Sequence, residues 1–486
     1  MCTQTEKDNY NYNFKKRIDI LKITLQIWKQ RKLSLKGKVT VLNSLALAPL
    51  TYISSVVDTP KRAITEIQSL IMNFFWDGKS PKVAKNVLTQ HIDKGGLKLC
   101  NFEIKTEALR LAWVNRIIEN KNSRWTAVLK FYLKCKDLEF YLSCKHKIIH
   151  DRMPTFYKVM LNAWAHLYNV EPSGVEQIQN EIIWNNQFMI CNKQTLFWED
   201  WISAGIIKIK HLLNSDGHFL SHNEIIEKYN VRCSFLNILQ LRHIIPKPWM
   251  NKLKECKKIC PDSRQPSINI SGMYKSIEKL KCKDFYWALV DRTKVEPKCV
   301  HKWSEIYPYF ETAEPEIWKR IFNMAFNVTQ ETLIQSFQYR LIHRIIPCNK
   351  WLETIRVKDT NICNYCDNVD DLQHFFLYCH NVHKFWVSLY KWWNRTSGII
   401  INNETEIEEC ILFGYPGEED IVKVLNYVII QAKYYIYIQR LCAENNIDFY
   451  DFLMILQQKL RIKKYNCEYR NNPGSFEPYL VIFEAL

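Results

Sequence analysis

Apolar residues three and four apart recur along most of this chain, and that spacing commits it to packed amphipathic helices. Phe14, Ile18, Leu21, Leu25 and Trp28 form one such stripe, and Ile64, Ile67, Ile71 and Phe74 form another. The pattern returns in Ile104, Ala108, Leu111, Val114 and Ile118, in Ile421, Leu425, Val428, Ala432 and Tyr435, and in Phe449, Phe452, Leu453, Leu456 and Leu460. Punctuation residues bound the helices. Ser34 caps a helix that should run to Pro49, Thr59 and Pro60 read as an N-cap and first helical position, and Gly95-Gly96 marks a turn. Arg461, Lys463 and Lys464 read as the basic end of the last helix. The only extended signal is a short hairpin, residues 188–190 and 195–198, around Cys191 to Gln194. The fold class expected is mainly α.

Charge narrows the partner. Lys and Arg number 67 against 50 Asp and Glu, a net charge of +17 that favours a polyanion. The excess is local: Lys29, Arg31, Lys32, Lys36 and Lys38 fall within ten residues at a helix junction, with no acid between Ile20 and Val57. Such a run is either a solvated helix face or a surface that tracks a phosphate backbone. Residues 39–57 are uncharged and long enough to span a bilayer, but Pro49 at their centre and several hydroxyl side chains favour a broken helix pair, so no membrane span is expected. The polar N-terminus, with Glu6, Lys7 and Asp8, lacks the apolar core of a signal peptide. Most of the 17 cysteines then read as small buried hydrophobes of a reducing compartment, cytoplasmic or nuclear.

One motif carries definite chemistry. Cys363, Cys366, His374 and Cys379 follow a C-x2-C-x7-H-x4-C spacing. Two cysteines three apart can clamp one ion from a tight turn, and a histidine and cysteine five apart can close the tetrahedron. Three thiolates and an imidazole suit structural zinc, leaving no open position. The competing reading is four unrelated buried residues, and His380 and His383 lie close enough to replace a ligand. The pairs His146/His150 and His218/His222 have no third ligand nearby and read as ordinary histidines. Arg340, Arg344, Lys350, Arg356 and Lys358 precede the array with Tyr339 and Trp351 among them, and Phe385, Trp386, Trp392 and Trp393 come after it. Aromatic platforms with basic neighbours suit single-stranded nucleic acid, but aromatics at helical spacing also suit a core, so the basic residues are the better contact candidates.

Several blocks resemble reverse transcriptases of LINE-type (non-LTR) retrotransposons. The runs from Arg31 to Lys38, Phe74 to Trp76 and Gly95 to Lys98 resemble the thumb and the region next to it. The segment Trp184 to Asn186, the knuckle at Cys363, and the run from Ala432 to Tyr437 resemble the C-terminal part of the same polyproteins, in the same order. The resemblance implies zinc ligation by Cys363, Cys366, His374 and Cys379, and phosphate contact by Arg31, Lys32, Lys36 and Lys38. Composition divides the chain into a polar tail (1–13), a thumb-like helical region (14–130), a mostly helical connecting region (131–260), a connector (261–300) signalled by Pro246, Pro248, Pro261, Ser263, Pro266 and Ser267, a basic and aromatic region with the knuckle (301–400) and C-terminal helices (401–486). The catalytic carboxylate pair is missing: the only adjacent aspartates, Asp370 and Asp371, lie inside the zinc loop. The expected function is therefore nucleic-acid binding of low sequence specificity, with no catalysis by this chain alone. The alternatives are a host-retained adaptor whose knuckle binds protein, and a functionless relic.

Overall fold

A computed structural model describes residues 5–486 apart from 121, 134–136, 146–152, 257, 261–266, 271–272, 277–278, 399–403 and 442–446; the His146/His150 pair lies outside the described residues. The protein is mainly α, 68% helix and 2% strand. Two compact units are each assembled from three segments: Met1–Ile18, Ala48–Gln68 and Asn101–Thr293 make the first, and Asp19–Leu47, Ser69–Cys100 and Lys294–Leu486 the second.

In the first unit the Phe102–Glu119 helix packs against the Thr155–Tyr168 and Cys282–Arg292 helices. Ala108, Leu111 and Val114 meet Met160, Trp164, Phe285 and Leu289 in one core. Residues 261–300 thus include a core helix, and also a two-stranded ladder in which Ser267–Ile270 pairs with Met273–Ser276. A helix ends with carbonyls that lack intrahelical partners. For the Ala48–Val56 helix, the Trp113 indole donates to the Ser55 carbonyl at 2.8 Å and the Arg110 guanidinium donates to that of Val57. A second core gathers Ile178, Trp184, Trp201, Leu241 and Trp249. The hairpin beside it is shorter than the sequence pattern predicts. Ile190–Cys191 pairs with Gln194–Thr195 across Asn192 and Lys193, both at positive φ as a tight two-residue turn demands.

The second unit is built on the Asp420–Leu441 helix, buried nearly all round and packed by the Pro315–Val328, Thr332–Ile342 and Phe449–Tyr469 helices. The Gly95-Gly96 turn is sterically enforced: a Cβ on Gly96 would stand 2.0 Å from the Gln90 carbonyl oxygen. The neighbouring Gly95 carbonyl accepts from His343 Nε2 at 2.9 Å. Burial beside Phe322 and Tyr339 pushes the His343 imidazole down to about 4.

Three boundaries differ from the sequence expectation. Pro49 sits at the second position of the Ala48–Val56 helix, where its missing N–H costs nothing, and so opens a helix instead of closing one. Residues 39–57 are accordingly split at Leu47, and no single helix among the described residues is long and apolar enough to cross a membrane; only the broken pair Leu35–Ala46 and Ala48–Val56 passes by length and composition. Thr59 does not cap the next helix: its hydroxyl finds no partner, and Glu6 accepts from the Lys61 N–H at 3.0 Å. Lastly, Arg461, Lys463 and Lys464 do not end their helix, which continues to Tyr469. Lys463 lies over the Tyr427 and Tyr479 rings, and Lys464 over Phe483, so aromatic faces and not the helix dipole receive their charge.

Candidate metal centre

The Cys363 turn is closed by a bridge between Ile362 and Val369 and by the Cys363 N–H donating to the Asn368 carbonyl at 2.9 Å. Next, Asp371 accepts the His374 N–H at 2.9 Å and so starts a wide helical turn, His374–Tyr378. Cys379 stands at the break before the His380–Ser397 helix. The local sequence thus folds two turns toward one point.

The four ligand atoms all lie within 4.8 Å of one another. Cys363 Sγ and Cys379 Sγ are 3.9 Å apart, and Cys366 Sγ is 3.3 Å from His374 Nε2. A tetrahedral ion with bonds of about 2.3 Å to sulfur requires sulfurs about 3.8 Å apart, so these residues fit one metal ion. The histidine in this cluster is His374, while His380 and His383 are exposed on the helix that follows. Among the described residues this is the only such cluster; His222 instead bonds the Cys233 carbonyl through Nε2 at 3.0 Å.

The electrostatics favour ligation at Cys363 and His374 and oppose it at Cys379. Burial, reinforced by the Arg440 charge, lowers the His374 pKa and keeps the imidazole in the neutral form that binds metal. Burial opposes the Cys363 thiolate, but the Tyr365 N–H and the Arg440 guanidinium outweigh it and bring the thiol below its usual value. Burial raises Cys379.

Arg440 is the residue that spacing could not reveal. Its side chain is 2% exposed, and Nη2 donates to Cys363 Sγ at 3.3 Å and to Asp370 Oδ1 at 2.6 Å. The guanidinium lies 4.3 Å from the Phe375 ring centre. Asp370 in turn accepts the Asn349 N–H through Oδ2 at 3.0 Å. Asp370 is therefore a structural carboxylate, buried and paired, while Asp367 is exposed and Asp371 half-buried.

The predicted basic contacts fall into two groups. Lys29, Arg31, Lys32, Arg356 and Lys358 are exposed. Lys36 is half-buried over the Phe326 ring, and burial, with Lys98 nearby, lowers its pKa. Lys38 is buried and committed to the Phe75 carbonyl at 3.2 Å and to Asp77 at 2.6 Å. Arg340 and Arg344 are half-buried over Tyr437 and Trp303. Tyr339, Phe385, Trp386 and Trp393 are core, and Trp351 and Trp392 are half-buried. All of these residues belong to the second unit. No protein-family model matches the chain.

Proposed function

We propose that this chain is a nucleic-acid-binding protein stabilised by structural zinc, equivalent to the thumb-to-C-terminal part of a LINE-type reverse transcriptase and not catalytic alone. The observation that carries the reading is the company kept by the metal centre. The same unit bears exposed Lys29, Arg31 and Lys32, and exposed Arg356 and Lys358, on a chain of net charge +17. Lys38, Arg340 and Arg344 are left out of the contact surface, since their heads are engaged inside the unit. Burial of Asp370 in an ion pair supports the absence of a two-metal carboxylate centre. Thiolate ligation goes with a reducing location, cytoplasmic or nuclear.

A second reading, a protein-binding adaptor, is favoured by the exposed face of the Phe449–Tyr469 helix. Tyr450, Met454, Ile462, Tyr465 and Tyr469 are each more than half exposed there (76%, 59%, 62%, 64% and 78%). Binding of mixed-sequence RNA and DNA, monitored by fluorescence anisotropy at 50 and 200 mM salt, separates the two. Affinity that falls steeply with salt is expected of the nucleic-acid reading. No salt-sensitive binding is the adaptor outcome.

A further inference from the structure

We infer that the metal centre and the basic ridge at residues 350–358 form one device, in which Arg440, Asp370 and Asn349 hold Lys358 where an anionic polymer backbone can meet it. The inference rests on the nucleic-acid reading above.

The argument starts from charge. A divalent ion with three thiolates and a neutral imidazole carries a net charge of −1, and a buried charge of that kind needs a counterion. Arg440 supplies it. The Nε and Nη1 atoms of this guanidinium have no hydrogen-bond partner, so its contacts are the Cys363 sulfur, the Asp370 carboxylate and the flanking Phe375 and Tyr365 rings.

Asp370 carries the connection onward. Its Oδ2 accepts the Asn349 N–H, and its backbone carbonyl accepts the Lys350 N–H at 3.1 Å. The first turn of the Asn349–Thr354 helix is thereby seated on the residue that faces Arg440. Asn349 then reads the ligand loop directly. Its Nδ2 donates to the Ile362 carbonyl at 2.6 Å and to Asn364 Oδ1 at 3.2 Å, on either side of Cys363. The remaining side-chain atom, Oδ1, accepts from Lys358 Nζ at 2.8 Å.

An exposed lysine ordinarily samples many rotamers, and ordering it on binding costs affinity. Lys358 is exposed yet already tethered. Beside it in sequence stand exposed Lys350 and Arg356, and Lys82 lies 4.8 Å from the Trp351 ring centre. Of the acids nearby in sequence, Glu353 accepts from Asn361 at 2.9 Å and Asp371 is 3.8 Å from Lys350, while Asp359 beside Lys358 is exposed. The geometry therefore couples metal occupancy, through four side chains, to the placement of a cation on the surface.

The test uses the full chain with zinc bound, and each variant is checked by circular dichroism. Competition with a zinc chelator measures metal affinity, and cobalt substitution reports the thiolate-to-metal absorption. Arg440→Met should lower metal affinity about 10–100-fold, with Arg440→Lys intermediate. Should Arg440→Met fail to fold, the lysine variant carries this arm. Asn349→Ala should lower affinity for a mixed-sequence DNA duplex and flatten the log–log salt slope by about 0.9, one phosphate contact. Lys358→Gln should do the same, and the double variant should lose no more than either alone. If Lys358→Gln flattens the slope while Asn349→Ala and zinc removal do not, the coupling is wrong although nucleic-acid binding stands. If the zinc-bound wild type binds neither RNA nor duplex at 50 mM salt, the nucleic-acid reading itself fails. Unchanged metal affinity in Arg440→Met overturns the counterion half in either case.

Discussion

The Arg440 guanidinium lies against Cys363 Sγ, beside four side chains that could share one metal ion. If the ion is zinc, as proposed, structural sites of this composition carry apparent binding energies of about 10–16 kcal/mol at neutral pH. Natively purified protein is therefore expected to hold one zinc per chain by elemental analysis, and Cys363→Ser to hold none and to lose order around residues 363–379. A full equivalent in the serine variant would contradict the ligand assignment. His343 gives a pH prediction. Its imidazole is pushed down to about 4 by burial, against an ordinary 6.5, so the unfolded chain binds the proton more readily. Stability from this residue is complete above pH 6.5 and is lost as pH falls toward 4, on the order of 3 kcal/mol in total. His343→Gln, which keeps a donor toward the Gly95 carbonyl, should flatten the fall in melting temperature between pH 7 and 5. The clustering of Cys363, Cys366, His374 and Cys379 was legible because spacing along the chain already limits it. Arg440, Asp370 and Asn349 were not, because Arg440 reaches Cys363 across 77 residues of sequence and Asp370 across 70. Lys38 shows the converse: its neighbourhood contains no acid in sequence, yet Asp77 meets it in space and removes it from the surface.

At the scale of elements, the stripes were the readable part. Phe14, Ile18, Leu21 and Leu25 are buried, as are Ile104, Ala108, Leu111, Val114 and Ile118, because a 3.6-residue period leaves one face no other place to go. Ends were harder. Proline reads as a stop or a start depending on which carbonyls lie before it, and Pro49 proved a start. The helix through Arg461, Lys463 and Lys464 runs on because tyrosine and phenylalanine rings receive its cations, a tertiary cause invisible locally. The Gly95-Gly96 turn was legible in position but not in strictness. Gly96→Ala would set a methyl 2.0 Å from a backbone oxygen, which no side-chain movement relieves. Overpacking of this kind costs about 1–3 kcal/mol or more, to be read as a lower denaturant midpoint at constant slope. A midpoint unchanged from wild type would mean that the turn is looser than this contact requires.

For the whole molecule, no stripe or turn signal reveals that each compact unit draws on three segments. The unit boundaries at Ile18 and Gln68 fall inside the Lys16–Lys29 and Lys61–Phe75 helices, where the apolar period does not change. What sequence did convey is the sign and distribution of charge, and the structure sorts those cations into exposed and engaged. Lys29, Arg31 and Lys32 remain exposed on the surface. The most direct measurement is the salt dependence of duplex binding by the zinc-loaded chain, compared with the triple variant Lys29→Gln, Arg31→Gln, Lys32→Gln. All three side chains are exposed, Lys29 at a helix end and Arg31 and Lys32 in the segment after it, so the fold should stand by circular dichroism. Six to ten phosphate contacts would cost the wild type about 10³–10⁵ in affinity between 50 and 200 mM salt, and the triple variant should show a log–log slope shallower by about 2–3. Equal slopes in the two proteins, both folded, would contradict nucleic-acid binding by this surface.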